Sequence, residues 1–322
     1  MSGSTAKTPV IALEEHYWDK ELVSHLTGAE GSRSPDTLER LYDLGAIRLR
    51  EMDEAGIDIQ FLSHGAPSGQ KLAKDVAAGL VQRVNDRLAV AVSQNPLRLH
   101  GFAALPTIVP EAAADELERC VTQHKFKGAM VHGLTNGRFL DDKRFWPIFA
   151  RAEKLDVPIY LHPSFPDPRV VEVYYKDYVQ AYPQVIRAAW GYTVEAATQA
   201  IRLVLSGVFK EYPKLKFILG HMGETLPFLL WRIDQALSRP GQDSLNFRQT
   251  FCDHFWITTS GNFSTPALLC SMQEIGVDHI MFAVDWPFVA NPLAMKWMNE
   301  LQISQSDKNK IFGGNAQKLF RL

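Results

Sequence analysis

Residues 10–16 read VIALEEH, an apolar run that ends in three ionisable side chains. Seven further stretches follow the same grammar: 57–64 (IDIQFLSH), 99–105 (LHGFAAL), 126–133 (FKGAMVHG), 157–163 (VPIYLHP), 215–223 (LKFILGHMG), 255–261 (FWITTSG) and 279–287 (HIMFAVDWP). Each is a near-continuous apolar run, as expected of a strand buried on both faces of a parallel sheet. Between them lie amphipathic stretches at helical spacing, over 75–95, 110–123, 145–155 and 265–275. The first of these stops at Asn95-Pro96, and the second begins on Pro110. Eight strand–helix units predict an α/β chain closed into a (β/α)8 TIM barrel. Such a barrel needs about 250 residues, so the 322-residue chain is read as a single domain over 1–322. The longest departure follows the fifth run: 164–192 is rich in Pro, Tyr and Val without a clean period, and predicts a long loop insertion at the binding face.

The composition removes several function classes. The formal charge is −2 with the signs mixed, and no basic run suits nucleic acid. No stretch reaches the ~18 consecutive apolar residues of a membrane span. The opening residues, MSGSTAKTPV, read as a short polar tail without a signal-peptide core. Cys120, Cys252 and Cys270 form no CxxC and no regular framework, which favours a reducing, cytoplasmic setting.

In a barrel the chemistry sits at the C-terminal ends of the strands. Glu14 and His16 close the first run, two residues apart and therefore on one face of a strand. Glu15 points the other way. His162 closes the fifth run, His221 the sixth and Asp285 the eighth. A lone histidine at a strand end is usually a hydrogen-bonded rim residue. Carboxylates and imidazoles recurring at four strand ends point instead to one divalent ion with room for water or substrate. Glu224, three residues after His221, is placed to orient that imidazole. His64 and His132 also end strands, Asn262 and Ser260 lie at a rim, and Arg48 is a candidate for a substrate carboxylate.

The motifs ALEEH, LHP, ILGHMGETLPFLLWRID, ITTSGNFST, DWPF and the terminal NAQKLF together resemble the amidohydrolase superfamily, over nearly the whole chain. Within it they are similar to the metal-dependent hydroxybenzoate decarboxylases of the γ-resorcylate and 2,3-dihydroxybenzoate type. ExH at 14–16 is typical of that branch, where most of the superfamily carries HxH. The resemblance implies metal ligands at Glu14, His16, His162 and Asp285, one Zn or Mn ion, a catalytic His221 with Glu224 beside it, and Asp285 as proton donor. It also implies a small aromatic acid as substrate and a homo-oligomer, tetramer or dimer. The chain departs from the pattern at Ser164-Phe165-Pro166 after LHP, where relatives usually have Arg-Asn-Pro, and at His64 and His132. These positions line the family's substrate pocket and join Arg48 and Asn262 as substrate-binding candidates. The competing expectations are a hydrolase or hydratase using a metal-bound hydroxide and, from another class, a non-catalytic metal-containing scaffold.

Overall fold

The computed structural model describes residues 8–238 and 245–322, so most of the N-terminal polar tail lies outside the described residues. The eight strands are β1 (Ile11–Tyr17), β2 (Ile59–His64), β3 (Leu99–Gly101), β4 (Ala129–His132), β5 (Ile159–His162), β6 (Phe217–Leu219), β7 (Phe255–Thr258) and β8 (Ile280–Met281). All pair in parallel, in two arcs of order β1-β2-β3 and β4-β5-β6-β7-β8. Backbone bonds close both gaps. Ala103 donates to Gly128 at 2.9 Å and accepts from Met130 at 3.1 Å. On the other side, Asp285 donates to Glu14 at 3.0 Å and His16 to Trp286 at 2.7 Å. The expected (β/α)8 barrel is therefore formed.

Its interior is packed. Ile11, Leu13, Phe61, Phe102, Met130, Tyr160, Ile218, Met281 and Ala283 form one cluster inside the strands, joined by Ala316 and Phe320 of the last helix, Asn315–Phe320. The Phe61 and Phe320 ring centroids lie 4.6 Å apart. Burying each such side chain contributes about 1.5–3 kcal/mol. A second, larger cluster lies between strands and helices. The helices stand where periodicity places them: Lys74–Gln94, Pro110–Thr122, Trp146–Leu155 and Thr265–Ile275.

Two expectations need correction. The sixth and eighth strands are shorter than their apolar runs, because the chain leaves the sheet early to build the site. His221, Met222 and Asp285 have φ of 49°, 59° and 77°, a left-handed region no strand contains. His221 and Asp285 thus stand beyond β6 and β8 rather than on them. The segment after β5 is also more ordered than its composition suggests. It forms four short helical turns, Pro168–Val170, Val171–Tyr175, Lys176–Val179 and Pro183–Ile186, before the helix Gly191–Leu205. Gly191 permits the fold-back, since a Cβ there would lie 2.7 Å from the Ile186 backbone.

Candidate metal centre and active site

The site begins with an irregularity in β1. Ala12 pairs with Gln60 but Glu15 pairs with Leu62, so β1 carries one extra residue across that interval. Such a bulge switches which side chains face inward. Ile11 and Leu13 fill the barrel below it; above it Glu14 and His16 turn inward in their place, both fully buried. Inward positions elsewhere follow strict alternation: Tyr160 and His162, Trp256, Thr258 and Ser260, and then Met281, Ala283 and Asp285.

Four side chains converge there. Glu14, His16, His162 and Asp285 each present a ligand atom within 4.8 Å of the others. Glu14 Oε1 is 3.2 Å from His162 Nε2 and 3.2 Å from His221 Nε2, and His16 Nε2 is 3.2 Å from Asp285 Oδ1. Glu14 Oε1, His16 Nε2 and Asp285 Oδ1 are buried without a hydrogen-bond partner. Orphaned polar atoms at that depth cost about 1–3 kcal/mol each, and a shared divalent cation satisfies all of them. Two carboxylates and two imidazoles suit Zn or Mn chemically.

The atoms facing away from this centre are fixed. Glu14 Oε2 accepts from the hydroxyls of Tyr160, Ser260 and Thr258. Gly220 is required beside it, because a Cβ there would stand 2.6 Å from Glu14 Oε2. His16 Nδ1 meets Ser63 Oγ at 3.1 Å, and His162 Nδ1 meets the Pro163 carbonyl at 2.7 Å. These contacts leave Nε2 of each ring aimed at the centre. Burial holds the His16 pKa below its ordinary value, favouring the neutral ring a ligand needs. For Glu14, burial alone would favour the neutral acid, but His221, His162 and His16 win and hold its pKa well below the usual carboxylate range. His221 is the counterpart: burial pushes its pKa down, and Glu14 and Glu224 more than reverse this, lifting it to about 10. Its Nδ1 lies 2.6 Å from Glu224 Oε1. Glu224 itself has a φ of 51° and precedes, rather than starts, the helix Leu226–Leu237.

The second glutamate of EEH has a role the sequence did not disclose. Glu15 Oε1 accepts from the Val284 amide at 2.9 Å and Oε2 from the Trp286 amide at 3.0 Å, gripping the two neighbours of Asp285. Burial pushes the Glu15 pKa up, while both amides and Arg48 favour the carboxylate. Arg48, itself fully buried, lies 4.1 Å from the Trp286 ring and donates to the His16 carbonyl at 2.6 Å and Gln60 Oε1 at 3.2 Å. Arg48 is thus expected at the substrate but placed behind the metal ligands, where it braces β1 against the turn after β8.

A cavity of 890 Å3 opens over the centre, lined by His162, His221, Glu224, Asp285, Asn262 and, farther out, Arg33, Arg187, Tyr192 and Phe288 among others. Of the substrate-binding candidates, Asn262 lines it; His64, His132, Ser164, Phe165 and Arg48 do not. His64 falls on the outward parity of β2, where its Nε2 accepts from the Asp19 amide at 3.0 Å. Burial lowers its pKa to about 4. His132 faces inward but sits behind His162, Nδ1 to Nδ1 at 3.0 Å. Burial holds it well below the ordinary histidine value. Ser164 directs its amide to Glu195 Oε2 at 3.4 Å, and the Phe165 ring packs on Tyr192 and lies 4.9 Å from the Arg187 guanidinium. Sequence reasoning missed Tyr160, Glu195, Arg187 and Tyr192. Tyr160 had a signal, inward alternation with His162 on β5; the others sit on helical turns and a helix start with no local motif.

Fold and donor set define a (β/α)8 barrel with a candidate metal site of two carboxylates and two imidazoles under its cavity. The amidohydrolase family profile matches residues 14–322, and the chain belongs to that family. It is 40% identical to a γ-resorcylate decarboxylase of Polaromonas sp. (strain JS666), over 97% of this chain and 98% of the relative. Among solved structures it resembles dihydroxybenzoic acid decarboxylase from Polaromonas sp. JS666 with bound manganese and the inhibitor 2-nitroresorcinol. The TM-score is 0.89 and the identity 40%, covering 98% of this chain and 97% of the other. It also resembles 2,6-dihydroxybenzoate decarboxylase complexed with 2,6-dihydroxybenzoate, with TM-score 0.88 and 37% identity over 98% of this chain and 100% of the other.

Proposed function

We propose that this protein is a metal-dependent, non-oxidative decarboxylase of ortho-hydroxylated aromatic acids, of the γ-resorcylate or dihydroxybenzoate type. The observation that carries the reading is the convergence of Glu14, His16, His162 and Asp285 under one cavity. High identity to γ-resorcylate decarboxylases over nearly the full length of both chains supports it.

These four residues would hold one divalent ion, Mn or Zn; the manganese bound in the Polaromonas neighbour supports Mn. When bound, such an ion supplies charge stabilisation to the substrate's carboxylate and adjacent phenolate oxygens. The chain's own residues do the proton chemistry. The bond between ring carbon and carboxylate breaks, its electron pair stays on the ring, and that carbon takes a proton while CO2 leaves. Asp285 borders both the donor cluster and the cavity and delivers this proton as general acid. His221, oriented by Glu224, stabilises charge at a ring hydroxyl, and Asn262 forms part of the wall beside it.

Residues 1–322 act as one domain in this reading, and a cytoplasmic setting accords with the three free cysteines. No described helix is long and apolar enough to cross a membrane. Tyr174, Tyr178, Trp190, Phe228 and Trp231 are exposed. Large exposed aromatics of this kind mark docking surfaces, and here they support packing against a second copy of the chain in a homo-oligomer.

The test is CO2 release from a panel of hydroxybenzoates by protein of measured metal content. Release from 2,6- or 2,3-dihydroxybenzoate is expected. Absence of CO2 from every ortho-hydroxy acid, with solvent 18O entering a product instead, would overturn the reading in favour of hydration or hydrolysis.

A further inference from the structure

His132 has no task in the reaction proposed above. Its side chain is buried, does not line the cavity and stands outside the group of four donors. It is nevertheless a costly residue to place there, because its Nε2 is buried without a hydrogen-bond partner. A polar atom left in that state calls for an explanation.

The register of the sheet decides where the ring goes. β4 and β5 pair in parallel with His132 opposite His162, as Met130 is opposite Tyr160. Met130 and Tyr160 pack inside the barrel, and alternation puts both histidines on that same face two residues on. The backbone keeps the pair in step. The His132 amide donates to Gln70 Oε1 at 3.3 Å, and the Gly133 amide donates to the His162 carbonyl at 3.0 Å. The two ring centroids are 4.8 Å apart with the planes at 63°, and Nδ1 faces Nδ1 at 3.0 Å.

The acceptors decide which nitrogen carries each proton. His162 Nδ1 also lies 2.7 Å from the Pro163 carbonyl, which can only accept. The His162 proton is therefore on Nδ1. Two facing N–H groups would repel, so His132 Nδ1 is a lone pair that shares that proton, and the His132 proton sits on Nε2. His162 Nε2 is then a lone pair, 3.2 Å from Glu14 Oε1. A lone pair set against a carboxylate oxygen is the arrangement that a shared cation requires.

We infer that His132 is a positioning residue for His162. Beside the Pro163 carbonyl it supplies a second acceptor for Nδ1–H, which fixes the rotation and tautomer of the ring and strengthens Nε2 as a donor to the metal. The inference rests on the metal centre of the proposed function and is independent of the substrate.

Two measurements test it. Mn(II) binding to metal-free protein is titrated by the electron paramagnetic resonance of the free ion. His132→Leu removes the acceptor, and binding is expected to weaken about tenfold or more, as for other residues that orient ligands. His132→Asn keeps an oxygen near the place of Nδ1 and is expected to bind like the parent. The metal-free His132→Leu protein is expected to melt no lower than the parent, since an unpaired buried N–H is lost with the ring. Equal affinity in His132→Leu and the parent, or the same loss in His132→Asn, overturns the inference. The second measurement needs no variant to fold. Long-range 1H–15N correlation of the histidine rings in Zn(II)-loaded protein is expected to show His162 protonated on Nδ1 and His132 on Nε2. A proton on His132 Nδ1 overturns the inference. Absence of Mn(II) binding by the parent overturns it together with the metal site. Failure of the decarboxylase reading is seen separately, as metal binding without CO2 from any acid.

Discussion

The two ends of the cavity are built on different principles. At the metal end, Glu14 and His16 are fully buried, and Glu14, His16 and His162 each have the polar atom facing away from the centre engaged by residues at the strand ends. At the outer wall the chain runs through short helical turns with Tyr174, Tyr178, Tyr182 and Trp190 exposed. The inner end tolerates little change, because Glu14, His16 and His162 are each held by a hydrogen bond that a different residue would lose, and Asp285 is placed by the grip of Glu15 on its two neighbours. The outer wall can vary without disturbing the barrel, as binding loops on a rigid scaffold do. The candidate metal donors therefore come from the strand ends, and part of the cavity wall from the segment after β5.

The sharpest way to break this comparison is at Asp285. Asp285→Asn keeps the shape and an oxygen donor but removes the acid. A drop in kcat of about 10^3-fold is expected, within the 10^2–10^4 contributed by a positioned proton donor, with bound metal measured alongside. Full activity in that variant would end the assignment of the proton to Asp285.

The next largest effect is expected one layer back, at the clamp around Asp285. Glu15→Gln replaces one amide acceptor by a donor, and a loss of about 10–100-fold in metal affinity is expected, as for other residues that orient ligands. Equilibrium dialysis checks it. Arg48→Met leaves the buried His16 carbonyl and Gln60 Oε1 without their donor and is expected to cost about 1–3 kcal/mol of stability in denaturant for each. Unchanged metal affinity in Glu15→Gln would show that the strand ends hold Asp285 unaided.

A smaller effect is expected on assembly. Trp231→Glu adds a charge to the exposed face and should shift the mass seen by light scattering toward a single chain. An unchanged mass would move the contact between copies elsewhere.

How much of this was legible differs between the two ends for the same reason. The barrel and the helices follow from periodicity, which also puts Glu14, His16, His162, His221 and Asp285 at strand ends; only the resemblance singles out four of these as ligands. The parity of β2 was also available: Phe61 and Ser63 face in, so His64 faces out. It was read as a strand end rather than as a face. Arg48 misled because a guanidinium on the helix before β2 suits a substrate carboxylate, whereas here it lies against the Trp286 ring and donates to the His16 carbonyl. The bulge in β1 and the left-handed turns at His221 and Asp285 left no local signal; they depend on closure of the barrel. Arg187 and Tyr192 belong to a segment without a period, where position is decided by tertiary packing alone.

Glu195 joins the two ends and offers the subtlest test. It sits on the first turns of Gly191–Leu205, accepting from the Ser164 amide at 3.4 Å and from Gln199 Nε2 at 2.9 Å, and so ties the start of the outer wall to a barrel helix. Burial lifts its pKa from the ordinary 4.5 to about 8, against the pull of those two hydrogen bonds. Between these values the folded chain holds a proton that the unfolded chain has released. Stability from this group is therefore complete below the unfolded value and is lost as pH rises toward 8. The lift sets an upper bound of about 5 kcal/mol on that loss, and relaxation of the loop base reduces it. Glu195→Gln cannot ionise. It should match the parent at pH 5 and exceed it at pH 8.5 by a few degrees in Tm. Parallel melting curves for the two proteins across that range would mean that the wall is anchored without this carboxyl, and that the junction at Ser164 belongs to the rigid end.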